Sequence, residues 1–328
     1  MNGGNYYFNP LVKKMMRSTE ETTADEEEAV AADEVCASCG KPAVDDVKLM
    51  KCACNLVKYC SVDCQKNHRS KHKKMCKKRL AELRDRDLFT PPEGSHLGDC
   101  PICCLPLPLD SSKSMFASCC SKSICMGCNI ANQKREFEAG LQRRCAFCRE
   151  PAPKSLQEAD KRIMKRIKDN NDPAAIRWMG AKCDAEGDHK SALEYLTKAA
   201  ELGVADAHYS LSCLYHEGEG VEKDMKKAVH HWEEAAIGGH LSARHNLGCN
   251  EVKKCRFERA KKHFIIAANL GVHASLECLK DLYKDGHATK EDYADARRAY
   301  QAAVGATKSA ERKKAEEYYE AKDAAQQR

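Results

Sequence analysis

The chain has 328 residues, 42% of them hydrophobic and 32% charged, with a formal net charge of +6. That length allows two or three domains, and so small an excess of base does not argue for nucleic acid. Aromatic residues make up only 6% and no apolar run is long enough to cross a bilayer, so we expect no large aromatic core and no membrane span.

The opening stretch, MNGGNYYFNPLVKKMMRS, lacks an apolar core followed by a small-residue cleavage site, so no secretory signal is expected. EETTADEEEAVAADE is acidic, without aromatics or periodicity, and predicts a disordered acidic leader over 1–35. The expected setting is intracellular, cytoplasm and/or nucleus, where thiols stay reduced. Of 21 cysteines, 16 lie between Cys36 and Cys148. In a reducing compartment that density argues for metal rather than disulfides.

The first block reads C-x-x-C, C-x-C, C-x3-C, H-x3-C: Cys36 and Cys39, Cys52 and Cys54, Cys60 and Cys64, His72 and Cys76. Eight thiolate and imidazole donors suffice for two tetrahedral zinc ions, and this set prefers zinc to metals that want oxygen. H-x3-C puts both donors on one face of a helix. The segment LVKYCSVDCQKNHRSKHKKMC resembles the MYND zinc finger, Tyr59 and Gln65 included. The resemblance covers 36–76 and implies interleaved sites: Cys36, Cys39, Cys60 and Cys64 in one, Cys52, Cys54, His72 and Cys76 in the other. The chain departs from that family in its short Cys52–Cys54 pair, usually C-x-x-C, and in Arg69, where Trp is common. His68 is read as an exposed helix residue rather than a ligand. From Gln65 to Ala81 there are eight Lys/Arg and no acid. We read this as the solvated face of a helix rather than an import signal, and nucleic acid is not an expected partner. Residues 77–99 are read as a basic helix and linker, ending in FTPPEGSHLGD.

The second block holds Cys100-Pro-Ile-Cys103, Cys120, Cys125-Met-Gly-Cys128 and Cys145-Ala-Phe-Cys148. Its order resembles a RING finger over 100–151, with seven of the eight ligands. That resemblance implies one site of Cys100, Cys103, Cys125 and Cys128. The other would join Cys120, Cys145 and Cys148 to whatever replaces the usual His, where Lys122 stands. A lysine ammonium does not coordinate, and its pKa is far above neutral. Cys119, Cys104 or a water remain as the fourth donor, and we take Cys119. The expectation is about four Zn2+ per chain, all structural, because closed four-ligand sites leave no position for a reacting water. The same resemblance implies contact with a ubiquitin-conjugating enzyme through Ile102 and Arg149; Ala146 stands where that family often has Pro.

SLQEADKRIMKRIKDN predicts a linker helix within 152–171, with Ser155 and Glu158 as a capping box and Leu156, Ala159, Ile163 and Ile167 at helical spacing. Asp172-Pro173 supplies the N-cap and first residue of the next helix. Then one phrase recurs: LTKAAELG (196–203), WEEAAIGG (232–239) and FIIAANLG (264–271), each ending in a C-cap glycine. From Ala199 to Ala235 is 36 residues and from Ala235 to Ala267 is 32. Such a period with paired amphipathic helices predicts an α-solenoid over 172–305. It resembles the Sel-one-like repeat, a relative of the tetratricopeptide repeat. The second unit carries that family's skeleton at Leu211, Tyr215, Gly218, Gly220, Val221, Asp224, Lys227, Ala228, Trp232, Ala235, Ala236 and Gly238; the third has a trimmed loop. Cys183, Cys213, Cys249, Cys255 and Cys278 are read as core or surface residues, and 306–328 as a polar C-terminal capping helix.

The expected fold is thus small zinc-stabilised fingers plus an all-α helical-repeat solenoid. The sequence shows no nucleotide loop, Ser-His-Asp order or paired-carboxylate motif. The expected function is a zinc-binding scaffold or adaptor, with a protein client on the concave face of the solenoid. The alternative is a RING-type ubiquitin ligase in which the solenoid selects the substrate.

Overall fold

A computed structural model of the protein describes residues 35–43 and 48–326; apart from Val35, the expected acidic leader lies outside them. The chain divides between Asp87 and Leu88 into two compact units. No helix among the described residues is long and apolar enough to cross a membrane.

The first unit has very little hydrocarbon to bury. Strands β1 (Met50–Lys51) and β2 (Lys58–Tyr59) pair antiparallel, Met50 opposite Tyr59. Helix α1 (Val62–Phe89) follows, rich in Lys and Arg, which are good helix formers. Lys66, Arg69, Lys71, Lys73, Lys74, Lys77 and Lys78 are exposed along it, a solvated basic face. The buried cluster consists of Cys36, Cys52, Cys54 and Tyr59. Three of these four are thiols, so apolar burial alone does not hold this unit.

The second unit begins with Leu88 and contains the second cysteine block, the repeats and the C-terminal helix. Strands β3 (Ser114–Ala117) and β4 (Lys122–Cys125) form a hairpin in which Ala117 pairs with Lys122. Helix α2 (Met126–Glu138) starts directly after it, with the Cys125 sulfur accepting from the Cys128 amide as N-cap. Helix α3 (Leu156–Asn170) buries Ile163 against Ala175 and Met179, and Phe116 of β3 stacks near Trp178, ring centroids 6.1 Å apart. The linker helix therefore packs as a shared wall of the cysteine block and the first repeat. Its cap differs from the expected box: Ser155 Oγ accepts from Glu158 N at 3.2 Å, but the Glu158 carboxylate turns to Lys154 N at 2.8 Å.

Eight helices then pair into four repeats: α4 (Pro173–Ala185) with α5 (His189–Glu201), α6 (Ala205–Glu217) with α7 (Met225–Ile237), α8 (Leu241–Lys253) with α9 (Phe257–Asn269), and α10 (His273–Lys284) with α11 (Lys290–Ala306). Asp172 caps α4 as expected, accepting from Ala174 N and Ala175 N. The phrase-ending glycines Gly203, Gly239 and Gly271 take φ of 82°, 83° and 98°, the left-handed turn that needs no Cβ. The period is written in small residues. Ala175, Ala207, Ala243 and Ser275 occupy one position of successive first helices, and Ala192, Ala228, Ala260 and Ala296 one position of the second helices; all are fully buried. A methyl or hydroxymethyl there lets helix backbones approach closely. In the third repeat the loop between helices shortens to Lys254, Cys255 and Arg256, as the sequence spacing implied.

The linker before Cys100 lies on the repeats. Leu88 is buried with Trp232, Ala235 and Leu247. Arg244, fully buried, donates to Leu88 O and Ala236 O at 2.7 Å each, and burial lowers its pKa to about 10. His96 donates its backbone amide to Gly239 O and places Nε2 2.8 Å from Asp206.

Helix α12 (Ala310–Gln326) falls within the expected polar C-terminal helix, and it packs on α2 of the cysteine block. Arg312 is the anchor, donating Nη1 to Pro106 O at 2.7 Å and Nη2 to Leu105 O at 3.2 Å and to Cys103 Sγ at 3.5 Å. The approach is close enough that a Cβ at Gly127 would stand 2.8 Å from Arg312 N.

Candidate metal centres

Three C-x-x-C loops share one backbone design. Cys36, Cys100 and Cys145 each donate N–H to the carbonyl five residues on, at Lys41, Leu105 and Glu150, over 2.8–2.9 Å. The fourth residue on, Gly40, Cys104 or Arg149, returns an N–H to the first cysteine's carbonyl. Those three take φ of 72°, 53° and 65°. The turn aims backbone amides at the first sulfur and holds the second beside it. Cys52-x-Cys54 is the same turn shortened by one residue: Cys52 N still reaches Val57 O at 2.9 Å, while Asn55 (φ 58°) closes it. The C-x-C pair thus retains a working knuckle, because Asn tolerates the left-handed position.

These amides tune the sulfurs. Burial pushes Cys36, Cys52, Cys100 and Cys145 up, but the amide donors outweigh it and all four end low, Cys36 at about 6 and Cys100 at about 7. Their cluster mates go the other way. Neighbouring sulfurs push Cys60 up to about 12, and burial with the Cys52 sulfur pushes Cys76 up to about 11. Burial first, then adjacent sulfurs, raises Cys119 and Cys128. A lowered thiol thus stands beside raised ones in each cluster, the pattern of sulfurs that compete for charge at close range.

The donors converge in four groups of four, the ligand atoms of each within 4.8 Å of one another: Cys36, Cys39, Cys60, Cys64; Cys52, Cys54, His72, Cys76; Cys100, Cys103, Cys125, Cys128; and Cys119, Cys120, Cys145, Cys148. Representative separations are Cys39–Cys60 3.5 Å, Cys52–Cys76 3.6 Å, Cys103–Cys125 3.8 Å and Cys120–Cys145 3.9 Å. Zinc–sulfur bonds of about 2.3 Å in a tetrahedron put sulfurs about 3.8 Å apart, so the donor sets fit zinc.

Cys119 stands in the last group, its sulfur 3.3 Å from that of Cys148. Lys122 is an exposed strand residue opposite Ala117, and Cys104 is an exposed knuckle residue. The tight turn that lets adjacent Cys119 and Cys120 point together is closed by Ser121 at φ 54°. Arg166 of α3 clamps it, donating to Cys119 O at 3.2 Å and Ser121 Oγ at 2.8 Å while paired with Asp172 at 2.6 Å. Nothing in the local spacing announces Arg166, 45 residues beyond the turn it clamps.

His68 is not among the members of these four donor groups. It is half-buried rather than exposed, its Nδ1 hydrogen-bonded with the Tyr59 hydroxyl at 3.1 Å beside the ligand candidate His72. Ile102 is 41% exposed on its knuckle, and Ala146 packs into the block's interior. Arg149 has an internal task that the sequence did not reveal. It pairs with the fully buried Glu136 at 3.0 Å and donates to Asn132 at 2.7 Å.

The MYND finger family model matches residues 36–76, and the Sel1 repeat model matches 173–204, 205–240 and 257–272. The chain therefore carries a zinc-binding MYND finger and Sel1 repeats. Over 56 residues it is 39% identical to "Putative beta-lactamase HcpC" of Helicobacter pylori, a match that spans 17% of this chain and 19% of that protein. Among solved structures it is similar to a Sel1 repeat protein from Oxalobacter formigenes (24% identity, TM-score 0.41, 55% of this chain and 72% of that one). It is also similar to the c5321 antigen of uropathogenic Escherichia coli (20%, TM-score 0.40, 54% and 37%).

Proposed function

We propose that the protein is an adaptor whose four donor groups each hold a structural Zn2+ and whose repeats bind a protein client. The observation that carries this reading is the closure of the donor groups. Each has four ligands, which leaves a bound zinc no position for substrate, so the metal fixes surfaces instead of reacting. The second cysteine block shares a wall with the first repeat through Phe116 and α3, and α12 straps it from the other side. A rigid platform of this kind suits presentation of a bound protein. The test is recovery of a stoichiometric partner by the full-length chain, followed by surface substitutions in the repeats that leave helicity intact. A partner released by those substitutions supports the reading; retention through all of them would sink it.

The ligase reading keeps one specific observation, Ile102 standing 41% exposed on a knuckle. Arg149 gives it less support, being tied to Glu136 and Asn132. Ubiquitin transfer with a panel of conjugating enzymes decides. Transfer that Ile102→Ala abolishes at unchanged zinc content establishes a ligase; no transfer with any of them leaves the adaptor alone.

A further inference from the structure

Successive repeats meet at a recurring position, and at one junction its residues change chemistry. In the earlier junction Tyr209 and Cys213 of α6 lie four residues apart, and Asn246 of α8 reaches Tyr209. One repeat later the equivalent residues are His245 and Cys249 of α8 and Cys278 of α10. The steps from 209 to 245 and 213 to 249 match that from Ala207 to Ala243; the step from 246 to 278 matches that from Ala243 to Ser275. A phenol, a thiol and an amide have become an imidazole and two thiols.

The three donor atoms lie within 4.8 Å of one another. His245 Nε2 is 3.6 Å from Cys249 Sγ, and His245 Nδ1 is 2.9 Å from Ser275 Oγ. Ser275 is fully buried at the position where the other repeats have Ala175, Ala207 and Ala243. Its hydroxyl is therefore an addition to the repeat pattern, and it meets the ring nitrogen that faces away from the sulfurs. In the tautomer where that hydroxyl accepts the Nδ1–H, the Nε2 lone pair faces the thiols, the arrangement that partners of metal-bound histidines hold. The H-x3-C spacing of His245 and Cys249 is that of His72 and Cys76 in the first finger. All three residues are half-buried, open enough for an ion to enter. The Phe264 ring, 5.7 Å from that of His245, forms an apolar side.

We propose that His245, Cys249 and Cys278 bind a soft divalent metal ion, with zinc the physiological choice. On binding, both sulfurs coordinate as thiolates beside a neutral imidazole, any thiol proton still present passing to solvent, so the ion's double charge is cancelled. Three protein donors leave the fourth position for water or an incoming ligand, unlike the closed finger sites. Soft donors of this type favour zinc over magnesium or calcium.

The test uses the full-length chain, purified reduced, equilibrated with zinc and freed of excess. The variant H245Y/C278N restores the Tyr, Cys and Asn set of the earlier junction, which the same fold already accommodates. The expected result is one zinc fewer per chain than wild type at unchanged helicity, because the finger sites are common to both. Cys278→Ser gives an independent reading should the double variant not fold, with the same expected loss. Zinc should also raise the melting temperature of the repeats in wild type and not in either variant. Equal zinc content in wild type and variants would overturn the proposal, as would a Cys249–Cys278 disulfide under the same reducing conditions.

Discussion

The first cysteine unit and the repeats bury opposite materials. In the former the interior is Cys36, Cys52, Cys54 and Tyr59; in the latter it is Ala, Leu and Ile, such as Ile176, Leu196, Leu211 and Leu214. One region has donor atoms where a core should be, the other has methyl groups. The difference teaches which force folds each: metal–sulfur bonds in the first, close apolar packing in the second. The second cysteine block stands between the two regimes. It has its own sulfur groups, yet it also buries Leu107 and Ile124 and leans on α3 and α12.

The sharpest way to break the comparison is to remove the metal. A closed structural zinc site contributes roughly 10–16 kcal/mol of apparent binding energy, which in a sulfur-filled unit is folding energy. A strong chelator should therefore abolish amide protection around Cys36–Tyr59 while the amides of α4–α11 stay protected. Hydrogen exchange followed residue by residue checks this, and persistent protection near Cys52 after complete zinc removal would refute it.

A single ligand comes next. Cys119→Ala should cost about one zinc per chain, because three remaining thiolates cannot close the site. Lys122→Ala should cost none, since Lys122 is an exposed partner of Ala117 in the hairpin. Metal analysis of the two proteins side by side gives the answer, and equal zinc in both would exclude Cys119.

Short-range features were legible in the sequence. The paired cysteine spacings, the H-x3-C face and the Ala–Gly phrases reflect contacts within one turn or one repeat, and each leaves a period or an interval to read. Arg312, which crosses some 200 residues to reach Pro106 and Cys103, left none. The same holds for Arg166 on the Cys119 turn and for His96 on Asp206. Such contacts are set by the packing of whole elements, and one arginine in a charged helix looks like any other. Arg149 adds a further case: its pairing with Glu136 of its own block left no mark in the sequence either. The site at His245 was hidden because H-x3-C on α8 is by itself a weak signal, and its third donor, Cys278, stands one repeat away on α10.

The α12 strap gives a smaller and more local test. At Gly127 a Cβ would meet the backbone of Arg312 at 2.8 Å, and backbone cannot swing aside as a side chain does. Gly127→Ala should loosen α12 by about 1–3 kcal/mol, the usual range for overpacking. Limited proteolysis near Thr307 should then cut faster than in wild type. Gly305→Ala is the matched control, since nothing lies within 4 Å of its Cβ position and a helical Gly→Ala change is itself favourable. Equal cleavage in both variants would detach the strap from Gly127.

The smallest effect belongs to the repeats and follows pH. His208 and His231 face each other with their Nδ1 atoms 3.0 Å apart, so one proton sits between two rings. Burial foremost, then the nearby His208, His230 and Lys227, lowers His231 from 6.5 to about 4, against the opposing pull of Glu234. The unfolded chain protonates this histidine near its ordinary value, while the folded chain resists down to about 4. Between those values the unfolded state binds more protons, so folding stability falls as pH falls. The contribution of His231 is complete above about 6.5 and is lost progressively as pH drops toward about 4. Denaturant midpoints of the helical signal, measured in chelated protein so that zinc release from the fingers adds nothing, should decline across that window. His231→Gln should flatten the decline, because the amide takes up no proton. A slope unchanged by that substitution would move the pH dependence elsewhere, and packing in the repeats would then owe nothing to the neutral imidazole pair.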